Sequence, residues 1–360
     1  MTRVLLLLMT ATSLLASGCA SKILKAEDSE KMLKNEDFEQ AVMVQDIPVE
    51  VLPAEPSGTF VRLPGPDAAP TPVPQTVPAA TPGAKKLTKA EIAKAAKAAK
   101  AGEAAAPAGR QPSIEDGEGF TGRRPNVDPF RVGEKISLEV SYFNVAAGEM
   151  TLETRNFASV NGNPSYRFAG TAKSTSVFAM FYAVDDWFET FVDYKTLVPY
   201  SYSLHVKETK QLRETRTLFD WNKKVAKYWD SKINEEKKLE KKELEWAIPE
   251  YSQNIFSAVF YLRSFKLEPG KKYKYRVAHE NENFVVTAEV LRREKITTPA
   301  GTFNTLVLKP HIELNGIFRP VGDIFFWMTD DDRKFLVKLE SKIKIGKIVA
   351  VAKKIDPGGK

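Results

Sequence analysis

Cysteine is almost missing from this chain of 360 residues: there is 1, alongside 3 histidines. A lone thiol excludes an internal disulfide framework and a cysteine-cluster metal site. His205, His279 and His311 lie far apart in sequence, so no histidine-rich metal centre is expected. Long apolar runs are missing too. The longest, Val4 to Leu15, is too short to span a bilayer comfortably. No nucleophile elbow, phosphate-binding loop or metal motif is present. The expectation is a protein without cofactor that is not an enzyme. Asp185-Asp186 invites a carboxylate-pair reading, but neighbours on a strand face opposite ways. Asp330, Asp331 and Asp332 offer oxygen ligands for calcium without the glycine and distal glutamate of a calcium loop. A hairpin turn with solvated carboxylates is expected there.

What is present begins with an address. Arg3 precedes the short apolar run, and the small residues Ala16, Ser17 and Gly18 lead into Cys19. A positive start, a short apolar core and small residues mark a secretory signal. With the only cysteine directly after Gly18, the segment resembles the bacterial lipoprotein signal. That resemblance implies that 1–18 are removed and that Cys19 carries the lipid. Several acyl chains on one residue anchor stably where one holds marginally. Ala20 and Ser21, rather than an aspartate, follow the cysteine. In enteric-type bacteria this implies the outer membrane, with the chain facing the periplasm.

Residues 19–124 read as a disordered tether. Ser21 to Glu55 carries a net charge of −5, a proline-crowded stretch follows from Pro53 to Pro82, and a Lys/Ala-rich patch from Lys85 to Arg110 carries +5. Prolines without amide donors and few bulky apolar groups cannot offset chain entropy. Only a transient helical turn is expected near Lys31 to Phe38. As a coil the tether reaches about 50–60 Å.

From 125 to 356 the composition turns aromatic and β-branched, leaving 357–360 as a tail. Ile136, Leu138, Val140 and Tyr142 alternate with polar residues at period two. Asn161-Gly162 signals a hairpin. One segment, Tyr251 to Phe265, has helical spacing and predicts a helix of about 14 residues. About a dozen strands joined by short turns predict an antiparallel sheet that must curl or close. The expected fold is all-β with one helix. It is a curled antiparallel sheet or incompletely closed barrel, a half-barrel like that of lipoprotein carriers, with the helix packed on the concave side. The charged strands and the buried-type helix argue against a transmembrane barrel.

Several motifs then stand out. They are Gly133-Glu134 opening a strand, Ala258 to Arg263 reading Ala-Val-Phe-Tyr-Leu-Arg, and Pro299-Ala-Gly-Thr-Phe-Asn-Thr running on to Pro310. Phe326-Trp-Met-Thr-Asp-Asp-Asp-Arg follows, then Lys338 and Ile345-Gly346. Together they resemble domain of unknown function 3108 over about Val132 to Ile355. The resemblance implies an exported, mostly β bacterial protein and assigns no activity.

The candidate ligand-lining residues are Val177, Phe178, Met180, Phe181 and Tyr182 of a long aromatic stretch, with Trp187, Phe256, Phe260 and Trp327. Methionine and aromatics suit adaptable apolar contacts, though a packed core uses the same residues. Two functions are carried forward. One is an envelope lipoprotein whose curled β-domain holds a lipid, a lipoprotein acyl chain or another apolar ligand; the analogy with lipoprotein carriers is one of architecture alone. The other is a structural protein of the envelope that contacts cell-wall polymer or a protein complex without a small ligand. The expected partners are thus the membrane, through Cys19, and one of these. Export and a net charge of +7 spread along the chain leave nucleic acid unexpected.

Overall fold

The computed structural model describes residues 32, 35–47, 127–233, 238–314, 317–319, 323–342 and 346–359. The lipoprotein-type signal, Cys19 and most of the expected tether lie outside them.

One antiparallel sheet dominates. Its strands are β1 (Val44–Asp46), β2 (Glu134–Tyr142), β3 (Val145–Val160), β4 (Asn163–Ser174), β5 (Asp185–Asp193), β6 (Pro199–Glu208), β7 (Gln211–Asp220) and β8 (Val225–Ile233). They continue with β9 (Leu239–Ala247), β10 (Lys272–His279), β11 (Glu282–Thr298), β12 (Gly301–Leu314), β13 (Ile317–Arg319), β14 (Ile324–Thr329), β15 (Leu336–Lys342) and β16 (Lys347–Pro357). The order across the sheet is β10-β11-β12-β14-β15-β16-β2-β3-β4-β5-β6-β7-β8-β9, with β1 paired to β3 and β13 to β12. That is 16 strands among the described residues rather than about a dozen. β1 and β13, with 3 residues each, carry too few residues to show a period.

Most neighbours are consecutive hairpins. Two-residue turns with positive φ, such as Phe143-Asn144 and Asn161-Gly162, match the strand twist. The sheet curls and stays open. Its edge strands β9 and β10 are not paired through the backbone, but side chains link the two margins. Trp246 Nε1 donates to Asn283 Oδ1 (3.2 Å), and Asn283 Nδ2 donates to the carbonyl of Ala247 (2.8 Å).

Among the described residues three short helices accompany the sheet: α1 (Glu36–Ala41), α2 (Ser176–Ala179) and α3 (Ser257–Arg263). The helix expected over Tyr251 to Phe265 is therefore 7 residues long. Asn254 sets its start, because its Oδ1 accepts the amides of Phe256 and Ser257. The preceding residues are extended and bridge to β10 through Gln253 and Val277.

α3 fills the concave side. Phe260 stacks on Phe168 with ring centroids 4.1 Å apart, and Phe130 meets both edge-on. Arg263, at the end of α3, is 2% exposed. It holds Glu134 through Nη1–Oε1 at 2.6 Å and Nη2–Oε2 at 3.0 Å, while Arg333 reaches the same carboxylate at 2.7 Å. The fold thus pins its helix to the first long strand with a buried charge cluster.

A second core joins Ile136, Leu138, Trp327, Val337 and Ala352, against which Leu291, Ile296 and Phe303 of the long β11–β12 hairpin pack.

The N-terminal segment departs from expectation. Residues 35–47 were expected within a disordered tether, yet they form α1 and β1. Asn35 caps α1, Phe38 meets Trp229 edge-on at 5.9 Å, and Val42 packs with Ala158, Val160 and Phe191. Val44 to Asp46 then pair with Val160 to Ala158. A few apolar groups suffice because the sheet supplies the rest of the burial and the hydrogen-bond ladder, neither of which shows in local composition.

Candidate ligand-binding site

Away from α3 the concave side is not filled. A cavity of about 310 Å³ lies there, with walls from β2 to β6, β14 to β16 and the first turn of α3. That volume is at the low end of the roughly 300–1,000 Å³ range of small-molecule sites. The walls are predominantly apolar and include Val140, Leu152, Leu204, Val259, Phe326 and Leu339.

The space exists because two neighbouring strands carry small residues side by side. Cross-strand pairs Gly148–Ser174, Met150–Ala172 and Leu152–Gly170 face it. A Cβ on Gly170 would stand 2.3 Å from the Phe188 ring, and one on Gly148 would stand 2.5 Å from the carbonyl oxygen of Lys173. Glycine thus lets Phe188 lie flat against β4, where it stacks on Phe256 at 4.2 Å. This aromatic pair separates the filled end from the empty one.

The mouth is apolar as well. α2 begins at Thr175, whose Oγ1 accepts the Phe178 amide and whose own amide donates to the carbonyl of Ala147 at 2.9 Å. The β2–β3 hairpin and the α2 turn are therefore joined. Phe143 and Val145 on one, and Val177, Met180 and Phe181 on the other, are 58–74% exposed. They account for five of the eight exposed large apolar side chains among the described residues, which is a cluster rather than scatter. Phe143 also holds a left-handed φ of 49°, unusual for a bulky residue.

The sequence candidates separate. Phe178, Tyr182 and Phe256 line the cavity, while Val177, Met180 and Phe181, their neighbours in sequence, are exposed. Trp187 borders the cavity, but its ring stacks on His205 on the opposite face of β5. Phe260 is packed in the α3 core against Phe168, and Trp327 sits in the second core beneath the Lys338 ammonium at 4.1 Å. Neither lines the cavity. An aromatic residue in a β-domain serves core and pocket alike, so residue type did not discriminate.

One ionisable side chain on this wall is half satisfied. Asp186, 2% exposed, accepts the Lys207 amide through Oδ1 at 2.9 Å, while Oδ2 has no hydrogen-bond partner among the described residues. Burial, reinforced by the nearby charge of Glu208, pushes the Asp186 carboxyl up to about 8, so it is protonated near neutrality. Glu208 is itself held by Tyr182 OH and Gln211 Nε2, each at 2.7 Å. Asp185, the other half of the expected pair, is exposed and faces Lys173 at 3.6 Å.

The remaining candidates are occupied structurally. Asp331 Oδ1 accepts the amides of Arg333 and Lys334 and the Thr329 hydroxyl, closing the turn. Asp330 pairs with Arg293 at 2.6 Å. Arg213 binds Asp230, Tyr228 and Glu280 in a mutually satisfied network. His205 pairs with Glu214 and His311 with Glu289. His279 is buried beside the Tyr202 hydroxyl, and burial pulls it down to about 4. No group of three metal-ligating side chains occurs among the described residues.

A family model described as "Protein of unknown function (DUF3108)" matches residues 137–353, more than half of the chain. The chain belongs to this family. The match covers every strand from β3 to β15 and most of the cavity wall. No curated protein matches the chain.

Several solved structures are similar, among them the following three. One is a β-barrel-like protein of domain of unknown function DUF1849 from Brucella abortus, at 12% identity and a TM-score of 0.39, covering 63% of this chain and 98% of that one. A "putative exported protein with YmcC-like fold" from Bacteroides fragilis is 11% identical, with a TM-score of 0.29 and coverage of 64% and 98%. A "putative lipoprotein" from Parabacteroides distasonis is 11% identical, also at 0.29, with 64% and 97% covered. At such identities and scores they carry no functional inference.

Proposed function

We propose that this DUF3108 protein is a non-enzymatic binding module of the bacterial envelope, holding an apolar ligand such as a lipid acyl chain inside its curled sheet. The single observation that carries the reading is the apolar cavity lined by Gly148, Gly170 and Ala172 beside a packed α3 core. Well-packed interiors rarely leave voids larger than a water molecule, so an apolar space of this size next to a dense core calls for an occupant. The exposed rim of Phe143, Val145, Val177, Met180 and Phe181 gives a chain an apolar way in.

The start of the sequence supports the address. Arg3, the short apolar run and Cys19 after Gly18 fit a lipid-anchored chain in the outer membrane facing the periplasm. Labelled palmitate should enter the chain and be lost in Cys19→Ser.

The functional test is native mass spectrometry of the full chain purified from its host. The expected result is a bound species of acyl-lipid mass that is absent from Ala172→Trp, where an indole occupies the space. A clean ligand-free mass for both proteins, with no uptake of added lipid, would overturn the reading and favour an envelope interaction protein without a small ligand.

A further inference from the structure

We infer that the β2–β3 hairpin and the α2 turn form a membrane-contact patch, which seats the β-domain on the bilayer that holds Cys19. This rests on the lipid-anchor reading above and adds which end of the sheet meets the lipid.

The patch consists of Phe143, Val145, Val177, Met180 and Phe181, 58–74% exposed. The turns that carry it are tied down. The Thr175 amide donates to the Ala147 carbonyl at 2.9 Å, and the Thr175 hydroxyl accepts the Phe178 amide. The Phe143 ring lies over Gly346 in the β15–β16 turn, where a Cβ would stand 2.9 Å from it. Neither 143–148 nor 174–184 contains a charged residue. Fixed, uncharged turns that hold five large apolar groups in water call for a surface to cover them.

The path of the chain says which surface. In the β6–β7 turn the Thr209 amide donates to the Ala183 carbonyl at 3.0 Å, and Thr209 Oγ1 accepts the Ala183 amide at 2.7 Å. That turn therefore lies at the same end of the sheet as α2. Met32 is buried at this end, against the cross-strand pair Leu212 and Ile233. The described chain then runs towards the other end, past Phe38 on Trp229 to Val42 beside Val160. Cys19 lies 13 positions before Met32. It is therefore no more than about 45 Å from it.

β7, with 10 residues, spans about 30 Å from end to end. With the opposite end of the sheet on the bilayer, that distance alone uses about two thirds of the reach. With the patch end on the bilayer, the anchor and the apolar side chains enter the lipid side by side. The contact is apolar rather than ionic. Lys173, Lys342 and Lys347 on neighbouring strand ends each face a carboxylate: Asp185 at 3.6 Å, Asp323 at 3.9 Å and Glu340 at 3.3 Å. Apolar side chains in such a contact settle about 5–10 Å deep, at the boundary of headgroups and acyl chains. The same turns and their strand ends supply Tyr142, Ala147, Phe178 and Tyr182 to the cavity wall, so the contact brings that wall beside the lipid.

The test uses the full lipidated chain in phosphatidylcholine vesicles that contain 5-doxyl phosphatidylcholine as a quencher. Cys19 is the only native cysteine, so an engineered thiol is the one open to a bimane label once Cys19 is acylated. The parent chain, treated in the same way, is the blank. Labels at Val145→Cys and Val177→Cys should lose about half of their emission or more, as expected at that depth. A label at Lys223→Cys, in the turn at the other end of β7, should keep nearly all of it. Adding Met180→Asp and Phe181→Asp should bring the quenching at Val145→Cys down to the Lys223→Cys level. Both side chains are exposed, so the thermal midpoint of that variant should stay at the wild-type value. Salt at about 1 M should leave the quenching unchanged.

Equal quenching at Val177→Cys and Lys223→Cys, or none at Val145→Cys and Val177→Cys, overturns the inference. So does quenching that disappears in high salt. Ready disulfide formation between two copies of Val145→Cys would give the patch to a second copy and overturn it as well. The mass of the N-terminal peptide reports on the anchor separately. An unmodified Cys19 overturns the anchor reading, and flotation of that chain with the vesicles, abolished by Met180→Asp and Phe181→Asp, then decides the contact by itself.

Discussion

The two ends of the hollow in the curled sheet are built by the same strands and reach opposite states. At one end β3 and β4 present Leu152, Phe157, Tyr166 and Phe168, and α3 presses Phe260 and Leu262 onto them. At the other, the same strands present Gly148, Met150, Gly170 and Ala172, which line the cavity, with the Phe188 ring laid against Gly170. The same pair of strands runs through both ends, with a register shift between Arg155 and Ala158 at the filled end. Side-chain volume over a few positions alone decides whether the sheet makes a core or a container.

Damage at the filled end should therefore cost much more stability than damage at the empty one. The largest expected effect is Glu134→Ala, which strands Arg263 and Arg333 without their shared carboxylate in a buried setting. It should destabilise the fold by about 3–5 kcal/mol in chemical denaturation. Phe260→Ala removes a fully buried ring and should cost a similar amount, about 3–5 kcal/mol. Phe178→Ala at the cavity wall, where the ring already has an open side, should cost only about 1 kcal/mol. Equal losses for Phe260 and Phe178 would erase the distinction between core and container.

Gly170→Ala sharpens the comparison at the boundary. Its methyl group drives into the Phe188 ring, so overpacking of about 1–3 kcal/mol should appear in the midpoint of thermal unfolding. A neutral outcome would mean that the Phe188–Phe256 pair moves freely into the space.

The smaller prediction concerns pH. The Asp186 carboxyl lies higher in the fold than in the unfolded chain, so its stabilising contribution is full below pH 3.8 and is lost as pH climbs towards 8. His279 is depressed, so its contribution is full above 6.5 and is lost as pH falls towards 4. The two slopes oppose each other between about 4 and 6.5, and Asp186 acts without His279 above that. Stability measured by denaturant at pH 6.5, 7.5 and 8.5 should fall in the wild type and flatten in Asp186→Asn. The smallest effect belongs to the rim: Met180→Ser and Phe181→Ser should each stay within about 0.5 kcal/mol of wild type, since neither side chain is buried.

Much of the scaffold was legible before the structure. Period-two stretches such as Ile136 to Tyr142 and turn pairs such as Asn161-Gly162 carry strand and hairpin signals in adjacent residues. The antiparallel curl follows from their number. α3 was read too long, because Ile255 and Phe256 fit helical spacing although Asn254 ends the extended segment just before them. The α1–β1 segment was missed since its burial is supplied by Phe191 and Trp229, far away in sequence.

For the site, Phe178, Tyr182 and Phe256 are aromatic and visible, whereas the void is made by Gly148, Gly170 and Ala172. Small residues announce nothing until the register aligns them across strands. Strand alternation did separate Asp185 from Asp186. That one of them sits on an apolar wall is a tertiary fact that no spacing encodes.

The most direct measurement is anomalous scattering from crystals of the protein grown with methyl 9,10-dibromostearate. Bromine peaks are expected inside the sheet, between Gly170 and Ile348. Bromine found only on the outer surface, or a cavity closed by movement of Phe188, would contradict that expectation.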